Sequence, residues 1–262
     1  MLEPALLLDQ VTHVYVTERG ATLAVDNIGF SVSPGEFVSL VGPSGCGKTT
    51  LLSMIAGLIQ PTRGRIERRG QPCDKPSSRI GYMLQQDYLF PWRTILDNMM
   101  IGLEINGTLD ESSRTRVIHL LDELGLRNVQ DHYPHQLSGG MRQRAALVRT
   151  LATEPDLLLL DEPFSALDYQ TRLQLEELIL DILKDRNKTA LLVTHDISEA
   201  IAMSDRVLVM ERNPGRIRRE IRIPDIIRCA APIESRELPG FHPLFHEIWQ
   251  ELEGPDRKGM GR

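Results

Sequence analysis

The sequence predicts an α/β fold with a mostly parallel sheet, an added antiparallel β-subdomain and an inserted helical subdomain. Three observations carry that reading. Short apolar runs near 37–41, 79–84, 157–160, 190–194 and 206–210 alternate with helix-period stretches. The first run enters a glycine-rich turn that opens a helix. The stretch between Gln85 and Asp156 has helical rather than strand periodicity.

Taken in order, residues 5–32 read as antiparallel strands, joined by 64–69 after Pro61-Thr-Arg-Gly64. Phe37-Val-Ser-Leu-Val41 reads as a buried strand. Thr49 to Ala56 then carries apolar residues at helical spacing. Within the helical insertion, about 87–155, the segment Asp110 to Leu124 places Val117, Leu120, Leu121 and Leu124 on one face, and Gly125 ends it. Leu157-Leu-Leu-Leu160 is a strand buried on both faces. After Pro224 the chain is proline-punctuated and loop-like. Leu244, Phe245, Ile248, Trp249 and Leu252 then form an apolar stripe, expected to pack back on the domain. These boundaries give a main domain over 1–225 and a C-terminal extension over 226–262.

Composition narrows the function. Of 262 residues, 41% are hydrophobic, enough for a large core, and the net charge of −6 argues against a general nucleic-acid binder. Basic stretches at 63–69 and 212–222 read as solvated surface. No apolar run reaches the eighteen or so residues that span a bilayer. Met1-Leu-Glu-Pro lacks the basic start of a signal peptide. Cys46, Cys73 and Cys229 fit a reducing cytoplasm. His242 and His246 lie one turn apart without a third ligand nearby, so no metal cluster is expected.

The chemistry starts at Gly42-Pro-Ser-Gly-Cys-Gly-Lys48-Thr49. Strand, G-x-x-x-x-G-K-[ST], helix is the context of a P-loop, and predicts a P-loop NTPase (RecA-like) core. Gly42, Gly45 and Gly47 let backbone N–H groups converge on phosphate. The helix N-terminus adds positive dipole. Lys48 supplies a point charge, and the Thr49 hydroxyl is a Mg²⁺ ligand. Pro43, Ser44, Cys46 and Thr50 complete the nucleotide-binding set, with Cys46 a small loop residue rather than a reactive one. The Leu157 strand ends in Asp161-Glu162. A carboxylate at such a tip lies where ligands bind in open α/β sheets. Asp161 is expected to hold Mg²⁺ and Glu162 to polarise the attacking water. His195 follows the strand Ala190-Leu-Leu-Val193 and is placed to donate to the γ-phosphate. Leu137-Ser-Gly-Gly-Met-Arg-Gln-Arg144 is a glycine turn opening a helix. Its Ser138, Gly139 and Gly140 form a second anion site.

Together these motifs resemble the ATP-binding subunit of an ABC transporter over roughly residues 5 to 225. The resemblance implies that Tyr15 stacks on adenine and that Gln85 senses the γ-phosphate and helps ligate Mg²⁺. Leu137 to Gln143 match the family signature, Ser165-Ala-Leu-Asp168 the D-loop, and His195 the switch histidine. It also implies that the signature binds ATP held by an opposite subunit, so two ATPs join two copies head to tail, with Asp168 coupling the sites. The catalytic set is then Glu162, His195, Gln85 and Lys48.

Gln85-Gln-Asp-Tyr-Leu-Phe-Pro-Trp92, Ala166 to Arg172 and Asn213-Pro-Gly-Arg-Ile217 are similar to the nitrate/sulfonate/taurine importer subfamily. Met83-Leu84 departs from the aromatic that relatives often place before the glutamine. The implied partners are a second copy or a paralogous ATPase, a membrane permease and, indirectly, a solute-binding protein, at the cytoplasmic face of the membrane. Trp92 and Tyr133-Pro134 are candidate permease anchors, with core packing the rival role for Trp92. Alternatives are a separate-subunit exporter and a soluble ATPase acting on nucleic acid or ribosomes. The gap between the two glycine motifs lacks the long coiled coil of repair-type members, and the chain holds one cassette rather than two. A plain nucleotide kinase does not account for Leu137 to Arg144.

Overall fold

The computed structural model describes residues 3–18, 20–165 and 167–253. Residues 1–2, Arg19, Ala166 of the D-loop stretch and the end of the C-terminal extension, 254–262, lie outside them. β1 (Leu6–Thr17) and β2 (Gly20–Val32) form an antiparallel ribbon. β3 (Phe37–Val41) is buried throughout and leads into α1 (Lys48–Ile55). β4 (Arg63–Arg68) and the two-residue β5 (Gln71–Pro72) complete a four-stranded antiparallel sheet of order β2-β1-β4-β5. β5 is too short to show a period, which is why the sequence does not announce it.

β6 (Ile80–Met83) returns the chain to the main sheet. The insertion follows as α2 (Ile95–Asn106), α3 (Glu111–Glu123) and α4 (Gly139–Ala152). The expected helix over 110–124 is α3. Asp110 caps it, accepting from the Ser113 N–H at 2.7 Å. Gly125, at φ 67°, ends it in the left-handed conformation, and the Leu126 N–H returns to the Leu121 carbonyl at 2.7 Å. Val117, Leu120 and Leu121 are buried against α2 and α4.

β7 (Leu157–Asp161), α5 (Tyr169–Asp185), β8 (Thr189–Thr194), α6 (Ile197–Met203), β9 (Arg206–Glu211) and β10 (Arg216–Arg222) complete the α/β core. The main sheet has the order β10-β9-β3-β8-β7-β6, parallel except for β10. All residues of β3, β7 and β8 are buried, as continuous apolar runs in a covered sheet require.

The region after Pro224 is not simply loop-like. It forms one-turn helices α7 (Asp225–Arg228) and α8 (Pro232–Ser235) before α9 (Phe241–Glu253). Prolines at the entry to a helix satisfy φ and remove no needed bond, so they punctuate the helices rather than abolish them. The apolar stripe of α9 does pack back. Leu244 and Ile248 are buried against α6 and β9, and Phe245 and Leu252 flank them. Arg218 and Arg219 of β10 pair with Glu251 and Glu247 on its outer face.

Candidate functional site

The strand order brings four chemically distinct chain segments to one edge. β3, β8 and β7 are neighbours, with Val41 level with Thr194 and Asp161 level with Val193. The glycine loop, His195 and Glu162 therefore leave adjacent carboxyl ends. β6 pairs with β7 beyond them, so Gln85 comes off the same edge. A cleft of about 650 Å³ opens there, lined by Lys48, Thr49, Gln85, Asp161, Glu162 and His195, with Ser44, Gly45, Gly47, Thr50 and Tyr15 around them. Ligands of open α/β sheets bind at this edge.

Three of the predicted catalytic side chains meet directly. Gln85 Nε2 donates to Glu162 Oε2 at 2.9 Å. His195 Nδ1 lies 3.3 Å from Glu162 Oε1. Glu162 itself has φ 48°, a conformation that costs a side-chain-bearing residue on the order of 1–3 kcal/mol. Its N–H bonds the Val193 carbonyl at 2.8 Å, and its own carbonyl accepts from Ser165. The sheet edge thus holds the strained residue and aims its carboxylate between Gln85 and His195.

Lys48 is buried, and its ammonium donates to the carbonyls of Gly42 at 2.7 Å and Pro43 at 3.3 Å. Those two residues therefore bear on the lysine and do not line the cleft. The glycines have separate reasons. Gly45 has open space around it but φ 79°. A Cβ at Gly42 would lie 2.7 Å from Cys46 Sγ and 2.9 Å from the Met210 carbonyl oxygen. Packing against the protein itself excludes a side chain there. Cys46, expected among the nucleotide contacts, turns its side chain into the core and is fully buried. Burial pushes its thiol pKa up, against the opposing Lys48 charge.

The Asp161 carboxylate is buried beside the Thr49 hydroxyl. Burial raises its pKa, and the Thr49 hydrogen bond and Lys48 oppose that shift. Hydroxyl, carboxylate and amide oxygen are hard donors, so Thr49, Asp161 and Gln85 fit Mg²⁺ in kind. Tyr15 stands at the cleft rim, 41% exposed, with its hydroxyl 3.3 Å from Thr50 Oγ1 and its ring edge-on to His13. Thr22, Leu23, Ala24 and Asn213 also line the cleft. The first three carry no chemical signal in sequence, because a hairpin partner delivers them. Asn213 stood in a motif noted only for subfamily likeness.

Ser138, Gly139 and Gly140 are not in this cleft. Ser138 caps α4, accepting from the Met141 N–H at 3.3 Å. α4 also grips the segment after Gln85. Arg142 Nε bonds Asp87 Oδ2 at 3.0 Å, and Arg149 donates to the carbonyls of Asp87 at 2.6 Å and Tyr88 at 2.8 Å. Asn98 of α2 pins the next stretch, bonding Phe90 through both its N–H and its carbonyl. Beyond that anchor Trp92 is 71% exposed, which removes core packing as its role.

A sequence profile of the ABC transporter family matches residues 25–165. The chain belongs to that family. It is 52% identical over 97% of its length to an ABC transporter ATP-binding protein of Bacillus subtilis, YtlC, covering 97% of that protein. It is 39% identical to the taurine import ATP-binding protein TauB of Ruegeria pomeroyi, covering 98% of this chain and 97% of that one. It is 42% identical to the nitrate import ATP-binding protein NrtD of Synechocystis, covering 83% and 82%. Among solved structures, the dimeric ATP-binding cassette MJ0796 in a post-hydrolysis state with ADP and phosphate superposes with TM-score 0.76 at 31% identity, covering 84% of this chain and 99% of that one. The chain is thus an ABC ATPase, an ATP-binding subunit of the transporter family. No helix among the described residues is long and apolar enough to cross a membrane.

Proposed function

We propose that this ABC ATPase dimerises on ATP and powers a membrane importer for nitrate, a sulfonate, taurine or a similar small solute. The observation that carries the chemistry is the meeting of Gln85, Glu162 and His195 beside Lys48, Thr49 and Asp161. In this reading Glu162 orients and polarises the attacking water. His195 donates to the γ-phosphate and holds the carboxylate in place. Lys48 binds the phosphates, and Tyr15 receives the adenine. Thr49, Asp161 and Gln85 would hold Mg²⁺, which when bound neutralises charge on the phosphates. Ser138, Gly139 and Gly140 face the γ-phosphate in a second copy or a paralogous subunit, since they stand apart from their own chain's cleft.

The import direction rests on the Gln85–Trp92 stretch and on the likeness to taurine and nitrate import subunits. Trp92 and Tyr133, both exposed, are the candidate anchors for a permease, with the chain peripheral at the cytoplasmic face and a solute-binding protein engaged indirectly.

A mixture of Ser138→Arg and Lys48→Ala chains tests the assembly. A mixed dimer has one composite site intact and one doubly broken. ATP-dependent association should return in the mixture and be absent from each parent. Association by either variant alone would refute the head-to-tail arrangement. Uptake of labelled taurine, alkanesulfonate or nitrate by vesicles holding the chain with its permease and binding protein tests the cargo, and ATP turnover without uptake of any of them would overturn that class.

A further inference from the structure

We propose that the C-terminal segment steadies the switch histidine through Arg236, a positioning residue linked to it by buried charges. The inference deepens the role proposed for His195 and rests on it. Arg236 stands at the end of α8, where its Nη1 donates to the Pro232 carbonyl at 2.6 Å. Its Nη2 meets Glu176 Oε2 at 2.7 Å. Glu176, on α5, has no exposed surface.

One turn earlier on α5, Arg172 Nη1 bonds Asp196 Oδ2 at 2.9 Å. Asp196 is the residue after His195. Its Oδ1 caps α6 through the N–H groups of Ser198 and Glu199, at 2.8 and 3.2 Å, and its own N–H donates to Thr194 Oγ1 at 3.0 Å. The Thr194 hydroxyl in turn donates to buried Glu199. Both neighbours of His195 are therefore fixed by this charge cluster. A cavity of about 40 Å³ bounded by Glu162, Arg172, His195 and Glu199 joins it to the catalytic carboxylate.

The charges explain why Arg236 matters at that distance. Glu176 faces Arg172 on its own helix, Asp196 and Glu199 at the start of α6, and Arg236 on α8. Without Arg236, three carboxyls would share Arg172 alone. Burial already raises the Glu176 pKa, and Arg236 is the largest influence holding it down. An unpaired buried carboxylate either takes a proton or captures the nearest cation. Arg172 has a buried Nε donor without a partner, and Glu176 a buried Oε1 without one. If Arg172 swings to Glu176, it releases Asp196 and loosens the turn that carries His195. A contact that merely fastened the extension would not alter His195.

The test compares Arg236→Met with the double variant Glu176→Gln, Arg236→Met in the full chain. Turnover with ATP and the ring resonance of His195, assigned by loss in His195→Gln, are both read. Arg236→Met should lower kcat about tenfold, and by less as the pH is lowered and Glu176 takes up a proton, with KM for ATP nearly unchanged. The His195 resonance should shift with kcat. The neutral pair in the double variant should restore both. An unmoved His195 resonance in folded Arg236→Met, or a defect that persists in the double variant, overturns the proposal. Absence of turnover in the parent chain would instead defeat the catalytic role of His195, and the resonance would still judge Arg236.

Discussion

Trp92→Ala separates an anchor from a packing residue by magnitude. With Trp92 71% exposed, under a third of it is covered, and the ring of Phe90 lies beside it with centroids 5.3 Å apart. A tryptophan offers roughly 250 Å². The covered part is then roughly 70 Å², worth at most about 2 kcal/mol at ~25 cal/mol per Å². A core tryptophan would lose about 3–5 kcal/mol. For a chain of this size each kcal/mol moves the melting temperature by about 2–4 °C. The expected drop is below about 8 °C, with ATP turnover of the isolated chain retained. Co-purification with the permease and solute uptake should both be lost. The assay is a thermal melt run beside a pull-down. A drop well beyond 10 °C, or full retention of permease binding, refutes the anchor.

Glu162→Gln should bind ATP normally and lose turnover by about 10²–10⁴-fold, because the amide cannot polarise water as the carboxylate does. Calorimetry and phosphate release check it, and near-parental turnover would remove Glu162 from the role. Glu199 offers a pH test. Burial raises its pKa to about 8, despite the Thr194 hydrogen bond. A carboxyl with a raised folded pKa favours the native state at low pH, so that contribution is present below the unfolded value near 4.5 and is lost as pH rises through about 8. Glu199→Gln should flatten this loss, by up to ~1.4 kcal/mol per pH unit between those limits. Denaturant melts at about pH 5 and pH 8 give the comparison, and a parallel pH dependence in both proteins contradicts the assignment.

Much of this was legible because the informative residues are short-range. The P-loop glycines, Lys48 and Thr49 are contiguous, and Asp161-Glu162 ends an apolar strand, so each motif announces its own local geometry. The convergence of Gln85, Glu162 and His195 also follows from parallel strands sharing one edge. What stayed hidden depends on pairs far apart in sequence. Nothing in Arg236 or Glu176 alone marks a buried ion pair, and Thr22 to Ala24 reach the cleft only through the register of β1 and β2. Cys46 shows the opposite limit. Its position inside a binding motif pointed to the ligand, but its side chain serves the core beneath Gly42. The short helices α7 and α8 were hidden by prolines that read as breaks from sequence alone.

The last point concerns which end of the Gln85 segment yields when the cleft changes. On the sheet side, Gln85 holds Glu162 by a single hydrogen bond. On the helical side, two residues later, Asp87 and Tyr88 are held by the Arg142 and Arg149 guanidinium groups through three bonds. Every one of these bonds has a charged partner and contributes about 1.5–3 kcal/mol, so three outweigh one. The helical grip is therefore several times stronger than the contact in the cleft. A displacement at the nucleotide should break the Gln85–Glu162 contact first and carry the glutamine with α4, which Ser138 caps. Arg149→Met tests the order. It frees the carbonyls of Asp87 and Tyr88 and leaves the Arg142–Asp87 bond alone, so the helical grip falls to about the strength of the cleft contact. Hydrogen exchange at Tyr88 and Leu89 should rise strongly, and ATP should still bind. Turnover should lose its response to the permease. Permease-stimulated turnover equal to the parent, with exchange at Tyr88 raised, would show that the segment transmits nothing.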